Sequence, residues 1–309
     1  MNFFVTGAAG FLGAALTNRL AWEKHTVRGL DDLSTGSPDL LSEEVSLTRG
    51  DINDRPRLWT LLQDVDCVYH LAARVLVPES VIYPREYNHV NVGGTVTLME
   101  AMRDVGVRRV VFISSGAIYG DQEEQPVRED ATPHPRSPYA VSKLAAEYYI
   151  HTIGALWGIE TVCLRVFNAY GPNQQMPPAH APVIPHFLRQ SALNGTLVIN
   201  GKGYQTRDYV FIDDVIDAMV VASTAPEIDR QTINIGSGES TSVRDLARMV
   251  TEITGGSPEI IYNPRNRVGP AQLCADIALA RQKLNYKPRV ALEEGLQLTF
   301  AKDERLRKH

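Results

Sequence analysis

Three glycines near the start of the chain constrain its fold more than any other feature. The apolar run Asn2–Thr6 leads directly into Gly7-Ala-Ala-Gly10-Phe-Leu-Gly13, and Leu16 and Leu20 recur at helical spacing within Ala14–Trp22. A buried strand, a glycine turn and a helix are therefore expected in that order. Gly7 permits the tight turn, Gly10 lets backbone N–H groups approach a pyrophosphate at the helix N-terminus, and Gly13 allows the helix to pack closely on the strand. Asp31 closes the next apolar run, with Asp32 beside it. A carboxylate there can accept from both hydroxyls of an adenosine ribose and repels a 2′-phosphate, so the pattern points to NAD rather than NADP.

The same alternation continues downstream. Short apolar runs at Thr26–Leu30, Val45–Arg49, Cys67–Leu71, Arg109–Ser114 and Glu160–Val166 are interleaved with helical patterns at Val92–Val105 and Tyr139–Leu156. Apolar strands separated by helices predict an α/β fold: a doubly wound parallel sheet of the Rossmann type. The texture changes after Phe167, where Pro177, Pro178, Pro182 and Pro185 exclude a helix or central strand and leave a long loop of functional character. Beyond it a helix at Pro185–Leu193, strands at Leu197–Asn200, Arg207–Ile212 and Gln231–Ile235, and helices at Val215–Ser223 and Val243–Thr254 are expected. At about 150 residues per domain, 309 residues suggest an NAD-binding domain over 1–167 and a smaller mixed α/β substrate lobe over 168–309. Segments near 208–223 and 231–238 are expected to return to the first domain. The charged stretch Lys302–His309 reads as a frayed end.

Composition excludes several classes of function. Thirty-one basic against 36 acidic residues give a net charge of −5, which offers no footprint for nucleic acid or an anionic membrane. No apolar run reaches the ~18 residues of a membrane span, and the N-terminus lacks the cationic start of a signal peptide. Cys67, Cys163 and Cys274 are far apart, so neither a disulfide framework nor a metal site is indicated and a reducing cytoplasm is expected.

Candidate chemistry gathers where the strands end, the edge at which open α/β sheets bind ligands. Asp51 can accept from an adenine amino group with Ile52 against the ring; a helix N-cap for the segment starting near Asn53 is the alternative. Small residues at Ala72 and Ala73 let a cofactor lie close, whereas His70 reads as a buried, hydrogen-bonded histidine. Tyr139 and Lys143 stand i, i+4 on one helix and share a face. A phenol titrates near ~10 and is a poor base at neutral pH. A neighbouring ammonium and a nicotinamide cation are expected to lower it, while Ser115, at a strand end, aligns the reacting oxygen.

These residues, with the phrases TGAAGFLG, LDDLSTG, HLAA, NVGGT, SSGAIYG, SPYAVSK, LRVFNAYGP and RDYVFIDD, resemble the extended short-chain dehydrogenase/reductase superfamily and, within it, the nucleotide-sugar epimerase/dehydratase family. The resemblance implies an NAD-dependent inversion at C4 of a nucleotide sugar, UDP-glucose and UDP-galactose first, through a transient 4-keto sugar. It assigns Ser115, Tyr139 and Lys143 to catalysis. NAD contacts are implied for Gly7, Gly10, Phe11, Leu12, Gly13, Asp31, Asp32, Leu33, Ser34, Thr35, Gly36, Asp51, Ile52, Leu71, Ala72, Ala73, Ser114, Tyr139, Lys143 and Phe167. Ser115, Tyr139, Asn168, Val183, Arg207 and Arg267 are implied at the substrate, and no metal is.

Departures from the family pattern narrow the reaction. Dehydratases carry an acidic pair where Gly116 and Ala117 stand, so water elimination is disfavoured. The loop Asn173-Gln174-Gln175 offers no cation for a uronate carboxylate, which favours a neutral hexose, while Pro270 and Leu273 depart from the nucleotide-binding pattern. A uronate or N-acetylhexosamine substrate remains the alternative within the family, and an idle NAD-binding scaffold the alternative outside it. A homodimer is expected through the helices Val92–Val105 and Tyr139–Leu156, which carry Leu98, Met99, Met102, Leu144, Tyr148 and Ile153.

Overall fold

The computed structural model describes residues 1–264 and 269–307, so Arg267 lies outside the described residues. Its first half runs β1 (Asn2–Thr6), α1 (Phe11–Trp22), β2 (Thr26–Asp31), β3 (Ser46–Arg49), α2 (Arg55–Leu61), β4 (Cys67–His70), α3 (Val77–Ile82), α4 (Pro84–Tyr87), α5 (Gly94–Val105), β5 (Arg109–Ser115), α6 (Pro138–Trp157) and β6 (Glu160–Val166). Together with the strand Gln231–Ile235, the six strands form one sheet in the order Gln231–Ile235, β6, β5, β4, β1, β2, β3. Every neighbouring pair is parallel.

Strand side chains alternate faces, and both faces are buried. Phe4, Val68, Val110 and Phe112 point into a cluster with Leu58, Leu98, Met99, Met102 and Ile150 from α2, α5 and α6. Phe3, Val5, Tyr69, Val111 and Ile113 face the opposite cluster, with Leu16 and Leu20 of α1 and Val215 and Met219 of the helix Ile212–Ala222. Tyr69 ties that layer down, its hydroxyl donating to the Met219 carbonyl at 3.1 Å. The strand order reverses between β1 and β4, and the crevice above that switch point is where an open sheet of this kind receives a ligand.

Several expectations need correction. Leu98, Met99 and Met102 are fully buried and Ile153 is nearly so; they serve the core beneath α5 and α6 and are not available to a partner. The stretch Arg207–Ile212 is not one strand. Thr206–Arg207 pairs antiparallel with Thr241–Ser242, and Tyr209–Phe211 pairs parallel with Asn168–Tyr170. Between them the fully buried Asp208 carboxylate accepts from the backbone N–H groups of Ser237 (2.7 Å), Gly238 (3.0 Å) and Ala275 (3.1 Å). It thereby pulls the chain out of a continuous ladder.

The end of the described chain is ordered too. Asp303 caps a short turn at Glu304–Leu306 and accepts from the Asn173 N–H at 3.0 Å; Arg305 donates to the Gln174 carbonyl at 3.0 Å, and Leu306 is fully buried. Burial pushes the Asp303 carboxyl up, but its bonds to Arg305 and the Asn173 backbone prevail and hold it below the usual carboxylate range. If this turn is a structural anchor, Leu306→Ala should lower the unfolding free energy by about 2–5 kcal/mol in urea titrations; a frayed end would leave it unchanged.

Candidate active site

The glycine turn between β1 and α1 forms one wall of the crevice. Gly7 has φ +68°, and a Cβ there would sit 2.8 Å from the Ala72 nitrogen. A Cβ on Gly13 would lie 1.9 Å from the Gly7 carbonyl oxygen, so only glycine lets α1 approach this closely. Gly10 is the N-cap residue of α1 and no side chain caps the helix. Its first N–H groups therefore face the crevice with the positive end of the helix dipole, an arrangement suited to a pyrophosphate.

Asp31 is buried at the end of β2. One carboxylate oxygen accepts from the Ala9 N–H (2.9 Å) and the other from the Leu33 N–H (2.8 Å). These two bonds fasten the turn to the loop at residues 31–36 and leave lone pairs on both oxygens. Burial raises the Asp31 carboxyl, while those backbone donors oppose the rise. Asp32 is exposed and accepts from the Ser34 N–H and hydroxyl. Leu33, Ser34 and Thr35 complete that loop, and Gly36 presses on Ala9, where a Cβ would come within 2.8 Å of the backbone.

Farther along the same edge, Asp51 accepts from the Asn53 N–H at 2.8 Å. It is not the cap of α2; Asp54 is, accepting from the Arg57 N–H at 3.1 Å. Ile52 is 5 % exposed and packs under α5, where a Cβ on Gly94 would strike it, so most of its side chain is committed to the core.

His70 sits at the end of β4 with no exposed surface. The Thr6 hydroxyl accepts from the Leu71 and Ala72 N–H groups at 3.2 and 3.1 Å, so its proton is directed to His70 Nδ1 at 2.8 Å. The proton on Nε2 then goes to Thr95 at 2.9 Å, and Thr95 donates to the Asn91 carbonyl at 2.6 Å. Burial lowers the imidazole to about 3, with the Lys143 charge assisting. This is a neutral histidine that holds the loop at Leu71–Ala73 in place.

The reactive candidates lie on β5 and α6. Ser137 caps α6, accepting from the Ala140 N–H at 3.1 Å, with Pro138 in the first turn. Tyr139 is thereby set at the helix start, 9 % exposed, with Tyr87 edge-on at 6.4 Å. Ser115 accepts from the Ala117 N–H at 3.1 Å and hydrogen-bonds the Tyr139 phenol. Burial raises that phenol above its ordinary value, and the Ser115 bond opposes the rise.

The expected depression by Lys143 is not found. Among the described residues, Lys143 is not one of the groups acting on the phenol. Its ammonium lies 4.2 Å over the Phe112 ring instead. Lys143 is 3 % exposed, and burial lowers it to about 8 while the Glu147 carboxylate raises it.

Ser114 and Phe167 close the floor. The Ser114 hydroxyl is buried without a hydrogen-bond partner among the described residues, and Phe167 stands over Gly116, where a Cβ would approach its ring to 3.1 Å. On the substrate side, Asn168 donates one side-chain N–H to the Asp208 carbonyl at 3.0 Å, which leaves its amide oxygen and second N–H for a ligand. Arg207 donates to the Thr206 and Pro270 carbonyls at 2.7 and 2.8 Å, and burial lowers its pKa. Val183 opens the helix Val183–Ala192 and is half-buried. Two residues were not singled out from sequence. The Tyr209 hydroxyl is buried beside Arg207 with no partner among the described residues. Asn91, 2 % exposed, donates to the Arg74 carbonyl and to Ser142. Both stand inside phrases already quoted, RDYVFIDD and NVGGT, and their neighbourhood was the only available signal.

The chain matches the model of the NAD dependent epimerase/dehydratase family over residues 3–236. It is 38 % identical to the UDP-glucose 4-epimerase of Mycolicibacterium smegmatis, over 97 % of each chain. Among solved structures it is similar to the UDP-glucose 4-epimerase of Thermotoga maritima with UDP-glucose: TM-score 0.94, 34 % identity and 98 % of each chain covered. It is also similar to that of Thermus thermophilus in complex with NAD: TM-score 0.90, 31 % identity and again 98 % of each chain.

Because His70 stays neutral when folded down to about pH 3 and takes up a proton near 6.5 when unfolded, its folded pKa is depressed. Its contribution is fully present above pH 6.5 and is lost as pH falls toward 3, at up to about 1.4 kcal/mol per pH unit. Urea unfolding between pH 7 and 4.5 should show this slope in the wild type and a shallower one in His70→Gln; equal slopes would reassign the histidine.

Proposed function

We propose that this chain, which belongs to the NAD dependent epimerase/dehydratase family, inverts C4 of a UDP-hexose and so interconverts UDP-glucose and UDP-galactose. The observation that carries this reading is a buried phenol hydrogen-bonded to Ser115 at the sheet edge, facing an uncapped glycine turn across the switch point. The residues fit NAD: two glycines stand where any Cβ would block close approach, the helix N-terminus has open donors, and the Ser114 hydroxyl is buried without a partner among the described residues.

The chain's own residues divide the work. Gly7, Gly10, Phe11, Leu12 and Gly13 take the pyrophosphate, and the free lone pairs of Asp31 take the ribose hydroxyls. Asp32–Gly36, Asp51, Ile52 and Leu71–Ala73 line the adenosine side; Ser114, Tyr139, Lys143 and Phe167 line the nicotinamide side. Bound NAD supplies a hydride acceptor at C4 and, with its positive ring, favours phenolate over phenol. Tyr139 accepts the proton of the 4-hydroxyl as the C4–H bond breaks, leaving a 4-keto sugar, and Ser115 holds the reacting oxygen in line. On the return half of the reaction Tyr139 would give the proton back to the oxygen at C4, with Ser115 holding that oxygen in line. The balance is an isomerisation that consumes no oxidant.

Arg207, Asn168, Val183 and the Tyr209 hydroxyl form the diphosphate side, where a guanidinium pairs well with phosphate oxygens. A neutral hexose is favoured because Arg305, the arginine that reaches the loop at Gln174, is already paired with Asp303 at 2.6 Å. The segments 1–167 and 168–309 correspond to cofactor and sugar recognition, with segments near 208–223 and 231–238 returning to the first, and galactose metabolism in the cytoplasm is the setting we propose.

We also propose a homodimer through α6, on its exposed face, which keeps Tyr148 of the residues first expected. Val141 and Tyr148 are 52 % and 62 % exposed and, at i, i+7, share a face; Tyr149 and Leu156 extend the apolar surface. A groove of about 500 Å³ between Pro84, Asn88 and Val92 on one side and Pro138, Val141 and Ala145 on the other adjoins it.

Purified protein given UDP-galactose without added NAD should form UDP-glucose, and Tyr139→Phe should lose turnover by about 10²–10⁴-fold while keeping fold and cofactor; an active Tyr139→Phe would remove Tyr139 from its role. Sedimentation velocity should give a dimer that Val141→Glu/Tyr148→Glu converts to monomer, and a monomeric wild type would refute the interface.

A further inference from the structure

Lys143 is buried beside an aromatic face to which no part of the reaction assigns a role. Its Nζ lies 4.2 Å from the centroid of the Phe112 ring. Phe112 is 1 % exposed and sits on β5, two residues before Ser114 and three before Ser115. It therefore belongs to the strand that also carries the serines of the site. The His70 ring lies tilted against the same ring, with centroids 5.4 Å apart.

The other groups around the ammonium sort by charge. On α6, burial raises the Tyr139 phenol and the Ser115 bond opposes the rise, and Glu147 is paired with Arg165 at 2.8 Å with a side-chain exposure of 2 %. On β4, His70 is neutral. On β6, Cys163 is a buried thiol pushed well above its ordinary value by desolvation, and Arg165 is fully engaged by Glu147 and by the Tyr119 hydroxyl at 2.8 Å. Glu147 is thus the one carboxylate among these groups, and its charge is shared with Arg165. The negative face of an aromatic ring supplies attraction without a desolvation penalty of its own.

We propose that Phe112 is a positioning residue for the reaction: its ring face holds the Lys143 ammonium at the site and keeps it charged where water cannot. Phe112 touches neither substrate nor reacting atoms; it acts through Lys143. A leucine or methionine at 112 would fill the same core space and leave the ammonium over an apolar wall. The proposal rests on the epimerase reading for its relevance to turnover, and on the geometry alone for its effect on Lys143.

The test is a titration of Lys143 in NAD-loaded protein with ¹³Cε-labelled lysine, the resonance being assigned by its loss in Lys143→Arg. Phe112→Leu should move the titration, and the basic limb of the kcat profile with it, down by about one pH unit; Phe112→Tyr, which keeps the ring, should restore both. Trifluorophenylalanine at position 112 keeps the shape and weakens the negative face, so it should reproduce the leucine shift even if Phe112→Leu folds poorly. A Lys143 titration unchanged by leucine or by ring fluorination would overturn the proposal, whatever happens to the rate. A shifted titration in a protein that does not turn over UDP-glucose would uphold the link between Phe112 and Lys143 and reject the epimerase reading instead.

Discussion

The contact on which this molecule depends is the approach of α1 to the end of β1, where no atom larger than hydrogen fits between Gly13 and the Gly7 carbonyl. Because the helix starts there, its open N–H groups point over the sheet edge, and Thr6 stands directly beneath the turn. From Thr6 a chain of hydrogen bonds runs through His70, Thr95 and Asn91 to Ser142, which donates to the Tyr139 carbonyl at 2.8 Å. The wall suited to a dinucleotide and the helix that carries the phenol are therefore tied together across the switch point by neutral groups only. Such a chain is insensitive to salt and, above the range in which His70 titrates, to pH.

Buried charge is also used elsewhere, in groups whose hydrogen bonds gather distant parts of the chain. Glu147 and Arg165 join α6 to β6, and Arg165 also donates to the Tyr119 hydroxyl, which donates in turn to Asn234. The buried Asp208 gathers two separate backbone segments of the substrate side, Ser237–Gly238 and Ala275. Removing one partner of such a group leaves a desolvated charge, so these positions tolerate exchange far less than exposed ion pairs such as Lys24–Glu44.

Much of the architecture was legible because local pattern and tertiary environment agree. The central strands of the main sheet, β1, β4 and β5, fall on apolar runs, since strands covered on both faces need apolar residues throughout. The glycine turn and Asp31 were legible for steric and charge reasons that hold in any such fold. What was not legible depends on contacts between distant parts of the chain. Periodicity marks Leu98 and Met102 as apolar but does not say whether sheet or partner covers them. Nothing local distinguishes Asp51 from Asp54 as the cap of α2. Helical spacing brought Tyr139 and Lys143 to one face, yet the lysine head turns to Phe112, which only β5 could place there. The charged tail looked solvated because Leu306 is a single apolar residue among charges, and its pocket is built by residues far upstream.

That tail carries a consequence for how the protein comes into being. Asn173 and Asp303, which bond to each other, are 130 residues apart. The loop leading from β6 toward the substrate side thus emerges from the ribosome long before the turn that fastens it. For that whole interval of synthesis the loop at Asn173 lacks the carboxylate that fastens it.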